Sequence, residues 1–174
     1  MQETAEDFTI GDLEEKDIVT LIPIFRRWVR TDGQVNEAEV HQIVDMLHDD
    51  LQNKNRKVNL VARNMSGAAI GMMGCGDVNP KMASYQSAPD VRASGLATAF
   101  LSPDHRGKGL GKSLLLALFD RAGQKGWKEM IWSSNPRYRE TAWRFYTGIA
   151  GEPVGMIEDF FEPGATSPVW RKSL

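Results

Sequence analysis

One stretch, Arg106-Gly107-Lys108-Gly109-Leu110-Gly111-Lys112-Ser113, constrains this chain more than any other. Before it, Gly95-Leu96-Ala97-Thr98-Ala99-Phe100-Leu101 reads as a strand, closed by the turn Ser102-Pro103-Asp104-His105. After it, Leu110, Leu114, Ala117, Leu118 and Ala122 fall on one face of a helix that Gly126 ends. The glycines let the backbone turn so that successive N–H groups point into one space. The helix start adds unsatisfied N–H groups and a positive dipole end. With Arg106, Lys108 and Lys112 supplying charge, the stretch predicts an anion site.

Three phosphate-binding patterns compete for it. A nucleotide P-loop needs G-x-x-x-x-G-K-[ST]; Gly111-Lys112-Ser113 supplies the end, but the first glycine falls on Arg106. The dinucleotide fingerprint G-x-G-x-x-G starts at Gly107 and Gly109 and fails at Lys112. The pattern R-x-x-G-x-G is met in full by Arg106, Gly109 and Gly111. The plain alternative is a glycine cluster that only punctuates a loop.

The rest of the chain predicts a mixed α/β fold. Phe8-Thr9-Ile10 is a first strand, and Asp17 caps a helix over 18–30. Asn36 and Glu39 form a capping box ahead of Val40, Ile43, Val44, Leu47 and Leu51, one apolar helix face. Val58, Leu60 and Ala62 alternate with Asn59, Val61 and Arg63, and Asn64-Met65-Ser66-Gly67 turns into a second hairpin arm over 68–76. Gly71, Gly74 and Gly76 in that arm suggest bends or close backbone approach. The segment 79–93 is a polar connection. Met130-Ile131-Trp132 is a buried strand, 140–147 a short helix, and 153–158 and 169–174 two further strands.

Length and composition set the frame. The chain's 174 residues suffice for one domain, 1–174, with a sizeable core, and are too few for two ordinary ones. A net charge of -2 and a pI near 5.9 give no reason to expect nucleic acid as a partner. No apolar run approaches membrane-spanning length. The acidic start Met1-Gln2-Glu3-Thr4-Ala5-Glu6-Asp7 is unlike a signal or transit peptide, and Cys75 is the single cysteine. These features predict a cytoplasmic protein.

The segment from Leu101 to Gly111 resembles the acetyl-CoA motif of the GNAT superfamily of N-acetyltransferases. The resemblance extends from about Val58 to Leu174, and the element order fits the earlier part. It implies a single mixed, mostly antiparallel sheet flanked by helices and splayed between its fourth and fifth strands. It implies that Ala99, Phe100 and Leu101 line the pantetheine arm of acetyl-CoA. Arg106, Gly107, Lys108, Gly109, Leu110, Gly111 and Lys112 would hold the pyrophosphate, and a backbone N–H near Leu101 would polarise the thioester carbonyl.

Ala142-Trp143-Arg144-Phe145-Tyr146-Thr147-Gly148-Ile149-Ala150-Gly151 resembles the family's A-x-x-F-Y-x-x-x-G-G stretch, with Ala150 in place of the first glycine. Val169-Trp170-Arg171-Lys172-Ser173-Leu174 resembles the terminal strand of bacterial members. The family position makes Tyr146 the general acid for the departing CoA sulfur. A free thiol has a pKa of about 8.5 and tyrosine about 10, so the phenol can deliver a proton without prior ionisation. From the residues alone, Tyr146 also reads as a packing aromatic beside Phe145. Asn135 resembles the family asparagine that contacts the cofactor, although Asn135-Pro136-Arg137-Tyr138-Arg139-Glu140-Thr141 is several residues longer than the family spacing. It equally reads as a turn residue before proline.

No carboxylate lies in 95–101, where many family members place a general base; Asp77, Asp90 and Glu158 are the alternatives, acting through water. His41, Asp45 and His48 share a helix flank, but a solvated polar face is expected there and no metal. Cys75 reads as a buried thiol. Arg26-Arg27 and Arg137-Tyr138-Arg139 are short basic runs. The expected activity is acetyl transfer from acetyl-CoA to the primary amine of a small molecule or peptide, in a ternary complex, by a monomer or homodimer. The segments 29–36 and 77–93 would shape the acceptor site. The alternative is a sensor or interaction module of the same fold.

Overall fold

Alternation between strand and helix periods translates into nine strands and four α-helices in a computed structural model, which describes residues 8–53 and 57–174. The acidic start at 1–7 lies outside the described residues. The strands are β1 (Phe8–Asp12), β2 (Arg30–Thr31), β3 (Gln34–Val35), β4 (Val58–Asn64), β5 (Ala69–Asp77), β6 (Ala93–Leu101), β7 (Glu129–Ser133), β8 (Gly155–Glu158) and β9 (Thr166–Ser173). The helices are α1 (Glu15–Trp28), α2 (Glu37–Gln52), α3 (Leu110–Gln124) and α4 (Arg144–Ala150). Seven strands form a mixed sheet in the order β1-β4-β5-β6-β7-β9-β8. β6 and β7 are parallel, whereas β1–β4, β7–β9 and β8–β9 are antiparallel. The β6–β7 ladder comprises Ala93, Ser94 and Gly95 opposite Glu129, Met130 and Ile131.

The chain divides into two compact units that interleave in sequence. The first holds the chain up to Gly74 together with Thr98–Leu118. In it α1 and α2 bury Leu21, Phe25, Val40 and Leu47 with Val61 and Met72, and Ile43, Val44 and Leu51 pack against that cluster. The predicted apolar face of α2 is therefore the face that packs. Asn36 caps α2 by accepting from the Glu39 N–H at 3.1 Å, while its own N–H donates to the Val29 carbonyl at 3.0 Å. Asp17 is not the cap of α1. The helix begins earlier, after Glu14, and the Asp17 carboxylate accepts from the Glu14 N–H at 2.8 Å as a third-residue partner. Asp17 is buried, and Arg63 compensates its charge through Nε at 2.7 Å. Carboxylates on Asp17 and Glu14 hold the Arg63 guanidinium above its ordinary pKa.

Two local features depart from the sequence expectation. β2 and β3 form a small ribbon closed by Asp32-Gly33, both with positive φ (51° and 78°), the turn that matches the twist of a two-residue hairpin. The predicted alternation in β4 is incomplete, because Leu60, Val61 and Ala62 are all buried. Close approach in β5 is confirmed. A Cβ on Gly71 would meet Leu101 Cδ2 at 2.8 Å, and one on Gly74 would collide with the Asn59 and Thr98 side chains. Gly71 opposite Leu101 and Gly74 opposite Thr98 make β5 and β6 antiparallel.

The second unit holds Cys75–Ala97 and Phe119–Leu174. β7 is its spine, with Met130, Ile131 and Trp132 fully buried. Ile131 packs with Met82, Ala93, Ile157 and Val169. The polar connection after β5 contains a short 3-10 helix, Pro80–Tyr85. The connection is tied down at Ser87, whose N–H and Oγ reach the buried Glu129 carboxylate at 3.0 and 2.6 Å. The predicted helix at 140–147 proves to be a π-helical turn, Arg139–Trp143, running into α4. β9 begins three residues before the predicted strand at 169, since Thr166, Ser167 and Pro168 pair with β8.

Candidate functional site

In the first unit, the glycine stretch forms the turn between β6 and α3. Gly107 and Gly109 adopt φ of 75° and 81°, and nothing lies within 4 Å of where a Cβ would sit on either. The left-handed values require glycine or a rare substitute, and the open space lets a ligand approach the backbone. The Gly109 carbonyl accepts from the Ser113 N–H at 2.9 Å, so Gly109 is the residue that caps α3. The N–H groups of Leu110, Gly111 and Lys112 are thereby the first-turn donors, pointing out of the helix end. Leu110 is buried and anchors the turn, while Arg106, Lys108 and Lys112 are exposed.

Arg106 stands over the indole of Trp28, 4.3 Å from the ring centroid, and among the described residues its guanidinium has no hydrogen bond or ion pair. Trp28 is the last residue of α1, and its Nε1–H donates to the Leu101 carbonyl at 2.7 Å. Just past β6, the Ser102 N–H donates to the Ile70 carbonyl at 2.9 Å. By the antiparallel alternation, the backbone groups of Leu101 and Ala99 face away from β5. The side chains alternate as well. Ala99 is exposed, whereas Phe100 turns into the core and meets Phe25 edge-on, with centroids 5.0 Å apart. Of the three residues expected at the pantetheine arm, Phe100 is thus spent on packing.

In the second unit, Tyr146 sits on α4 with 6% of its surface exposed. Its ring contacts Trp132, Phe145 and Trp170, with centroids 5.7, 5.3 and 5.3 Å away. Burial alone pushes the phenol well above its usual pKa, with no charged neighbour involved. Trp132 is fully buried and its Nε1 finds no partner among the described residues, while Trp170 Nε1 donates to Thr147 Oγ1 at 3.2 Å. Asn135 precedes a short 3-10 helix, Pro136–Tyr138, and its Oδ1 accepts from the Arg137 N–H at 2.9 Å. Its carbonyl oxygen therefore serves the turn before proline.

The remaining candidates fall on the surface or in structural roles. Asp77, Asp90 and Glu158 are exposed, as is Glu162; the exposed Asp159 accepts from the Gly164 N–H at 2.6 Å. His48 pairs with Glu15 at 3.0 Å, and no group of three metal-ligating side chains occurs among the described residues. Cys75 is buried. Arg137 and Arg139 stand over Tyr138 and Trp143. Sequence reasoning missed Trp28, whose partners are distant in sequence, and Glu129, whose burial no local pattern announces.

Solved structures that share this fold include acetyltransferases. A phosphinothricin acetyltransferase of the GNAT superfamily from Sinorhizobium meliloti, in complex with acetyl-CoA, is similar at 21% identity with a TM-score of 0.69, over 96% of this chain and 88% of that one. An acetyltransferase of the GNAT family from Staphylococcus aureus is similar at 12% identity and a TM-score of 0.70, over 97% and 99%. YncA from Salmonella typhimurium, solved with its cofactor acetyl-CoA, gives 16% identity and 0.70, over 97% and 94%. At these identities the likeness is one of fold. The chain itself belongs to the acetyltransferase (GNAT) family, whose family model matches residues 22–151. No curated protein matches it.

Proposed function

We propose that the protein is an N-acetyltransferase that moves acetyl from acetyl-CoA to a primary amine in a ternary complex. The observation that carries this reading is the turn at 106–112 in a member of the acetyltransferase family: two left-handed glycines with open space before them, first-turn N–H donors of α3, and an arginine whose guanidinium has no counter-charge among the described residues. That set fits a pyrophosphate. Two structures of the same fold were solved with acetyl-CoA. Arg106, Gly107, Lys108, Gly109, Leu110, Gly111 and Lys112 hold the pyrophosphate. Ala99 and Leu101 present backbone groups to the pantetheine arm, and Asn135, whose Oδ1 accepts from the Arg137 N–H, contacts the cofactor through its side-chain amide.

The amine nitrogen attacks the thioester carbon, the C–S bond breaks, and the sulfur takes a proton from Tyr146. The amine's surplus proton passes to water, with Asp77, Asp90 or Glu158 as relays. Burial keeps the phenol protonated and would likewise raise the proton affinity of a thiolate formed in apolar surroundings, so the departing sulfur remains a base for that proton. The acceptor is a small cationic or peptide amine, consistent with the exposed carboxylates at Asp77, Asp90, Glu158, Asp159 and Glu162. No helix among the described residues is long and apolar enough to cross a membrane. The proposed setting is the cytoplasm, with the protein a monomer or homodimer.

Tyr146→Phe tests the assignment. It keeps the ring and its contacts and removes one oxygen. General acid catalysis contributes about 10²–10⁴-fold, so turnover falls within that range while melting temperature and acetyl-CoA affinity hold. Turnover within about threefold of wild type would mean the thiolate leaves unaided, since so small an effect is below about 1 kcal/mol.

A further inference from the structure

We infer that Trp28 is a positioning residue for the cofactor loop; the inference rests on the reading of that loop as the acetyl-CoA site. A single indole touches both ends of the segment joining β6 to the glycine turn. Its N–H holds the Leu101 carbonyl at 2.7 Å, and its ring lies beneath the Arg106 guanidinium at 4.3 Å. Trp28 is half-buried at the end of α1, a helix held by the core through Leu21 and Phe25, so it offers a fixed platform. The contact with Arg106 works through the ring's π face and uses no hydrogen-bond acceptor. It therefore fixes a long, otherwise mobile side chain while leaving its N–H donors unspent, and those donors have no partner among the described residues. Immobilising a binding group before the ligand arrives removes part of the ordering cost of binding.

The indole N–H acts at the other end. Leu101's backbone faces away from β5, and its carbonyl is the last one of β6. With Trp28 as donor, the orientation of that peptide is set from α1. Trp28 immediately precedes 29–36, one of the segments expected to shape the acceptor site. One residue thus connects the end of α1 to the cofactor strand and to the pyrophosphate loop.

The test is a double-mutant cycle read by calorimetry with acetyl-CoA, using wild type, Trp28→Leu, Arg106→Gln and the double variant. Trp28→Leu is expected to weaken binding by about two- to fivefold, the range of an exposed cation–π contact, raising KM with kcat unchanged. Trp28→Phe, which keeps a ring but no N–H, recovers most of that loss. In the Arg106→Gln background, Trp28→Leu costs clearly less affinity, since only the Leu101 contact is left to lose. Equal losses from Trp28→Leu in both backgrounds would overturn the role, because a merely structural tryptophan acts regardless of Arg106. Should Trp28→Leu not fold, the indole N–H resonance, assigned through Trp28→Phe, gives the answer: acetyl-CoA shifts it in wild type and not in Arg106→Gln. An unmoved resonance in wild type that binds acetyl-CoA refutes Trp28, whereas wild type that binds no acetyl-CoA refutes the reading of the loop.

Discussion

The turn at 106–112 and the helix carrying Tyr146 place their functional groups in opposite environments. Around the turn, Arg106, Lys108 and Lys112 are exposed and two glycines face open space. Around Tyr146, aromatic rings close in until 6% of the residue remains exposed, and burial raises the phenol's pKa. In the proposed reaction the turn meets a charged group that arrives from water, and accessible donors suit that task. The proposed acid has to keep its proton until a leaving group takes it, and exclusion of water and of charge suits that one. The proposal thus assigns binding to backbone and flexible cations and proton transfer to a packed ring.

If that contrast is right, the two regions break in different ways. The largest effect belongs to Tyr146→Phe, whose hundredfold or greater loss appears in turnover and leaves binding alone. Gly109→Asp should do the reverse. Aspartate tolerates the left-handed conformation better than most residues, so the fold survives, but a side chain and a negative charge now meet the pyrophosphate. Affinity for acetyl-CoA by calorimetry falls at least about tenfold, a loss of about 1.4 kcal/mol or more from repulsion and blocked approach, while the left-handed strain appears in the melting temperature and turnover at saturating cofactor changes far less. Unchanged affinity in a folded variant would remove the turn from the site.

The smallest effect is an absence of change with pH. A tyrosine of ordinary pKa, about 10, would be half ionised at pH 10 and would cut turnover there. Because burial raises the Tyr146 pKa, turnover stays level or rises between pH 8 and 10 as the acceptor amine deprotonates. Stability follows the same sign. The folded chain holds the phenolic proton more tightly than the unfolded chain, so this contribution is intact below about pH 10 and declines as pH climbs toward the raised value. A turnover decline centred below pH 10 that Tyr146→Phe abolishes would show that the phenol is not shielded.

The same contrast explains what could be read from the chain beforehand. The turn itself was legible because left-handed backbone geometry calls for glycine, as at Gly107 and Gly109, and Arg106, Gly109 and Gly111 stand at a recognisable spacing; its cofactor role belongs to the proposal. The apolar stripe of α2 and the strand before the turn were legible because period alone decides which face packs. Tyr146 was legible only through its likeness to a family stretch, since its environment comes from Trp132 and Trp170, on strands distant in sequence. Trp28 was not legible, because Leu101 and Arg106 reach it only once α1 is docked. Phe100 was placed at the cofactor by the family resemblance, and strand alternation sends its side chain into the core. The Asp32-Gly33 ribbon did carry a local signal, a two-residue turn between short extended segments, that went unused.

The central claim is that this protein moves acetyl from acetyl-CoA to an amine nitrogen. Its most direct test incubates the full chain with acetyl-CoA and a panel of small cationic and peptide amines. Free CoA thiol and acetylated product are then quantified together by mass spectrometry. N-acetylated product and CoA thiol are expected in equal amounts for at least one amine, both diminished about hundredfold or more in Tyr146→Phe. Acetyl-CoA bound but never consumed with any amine would contradict it.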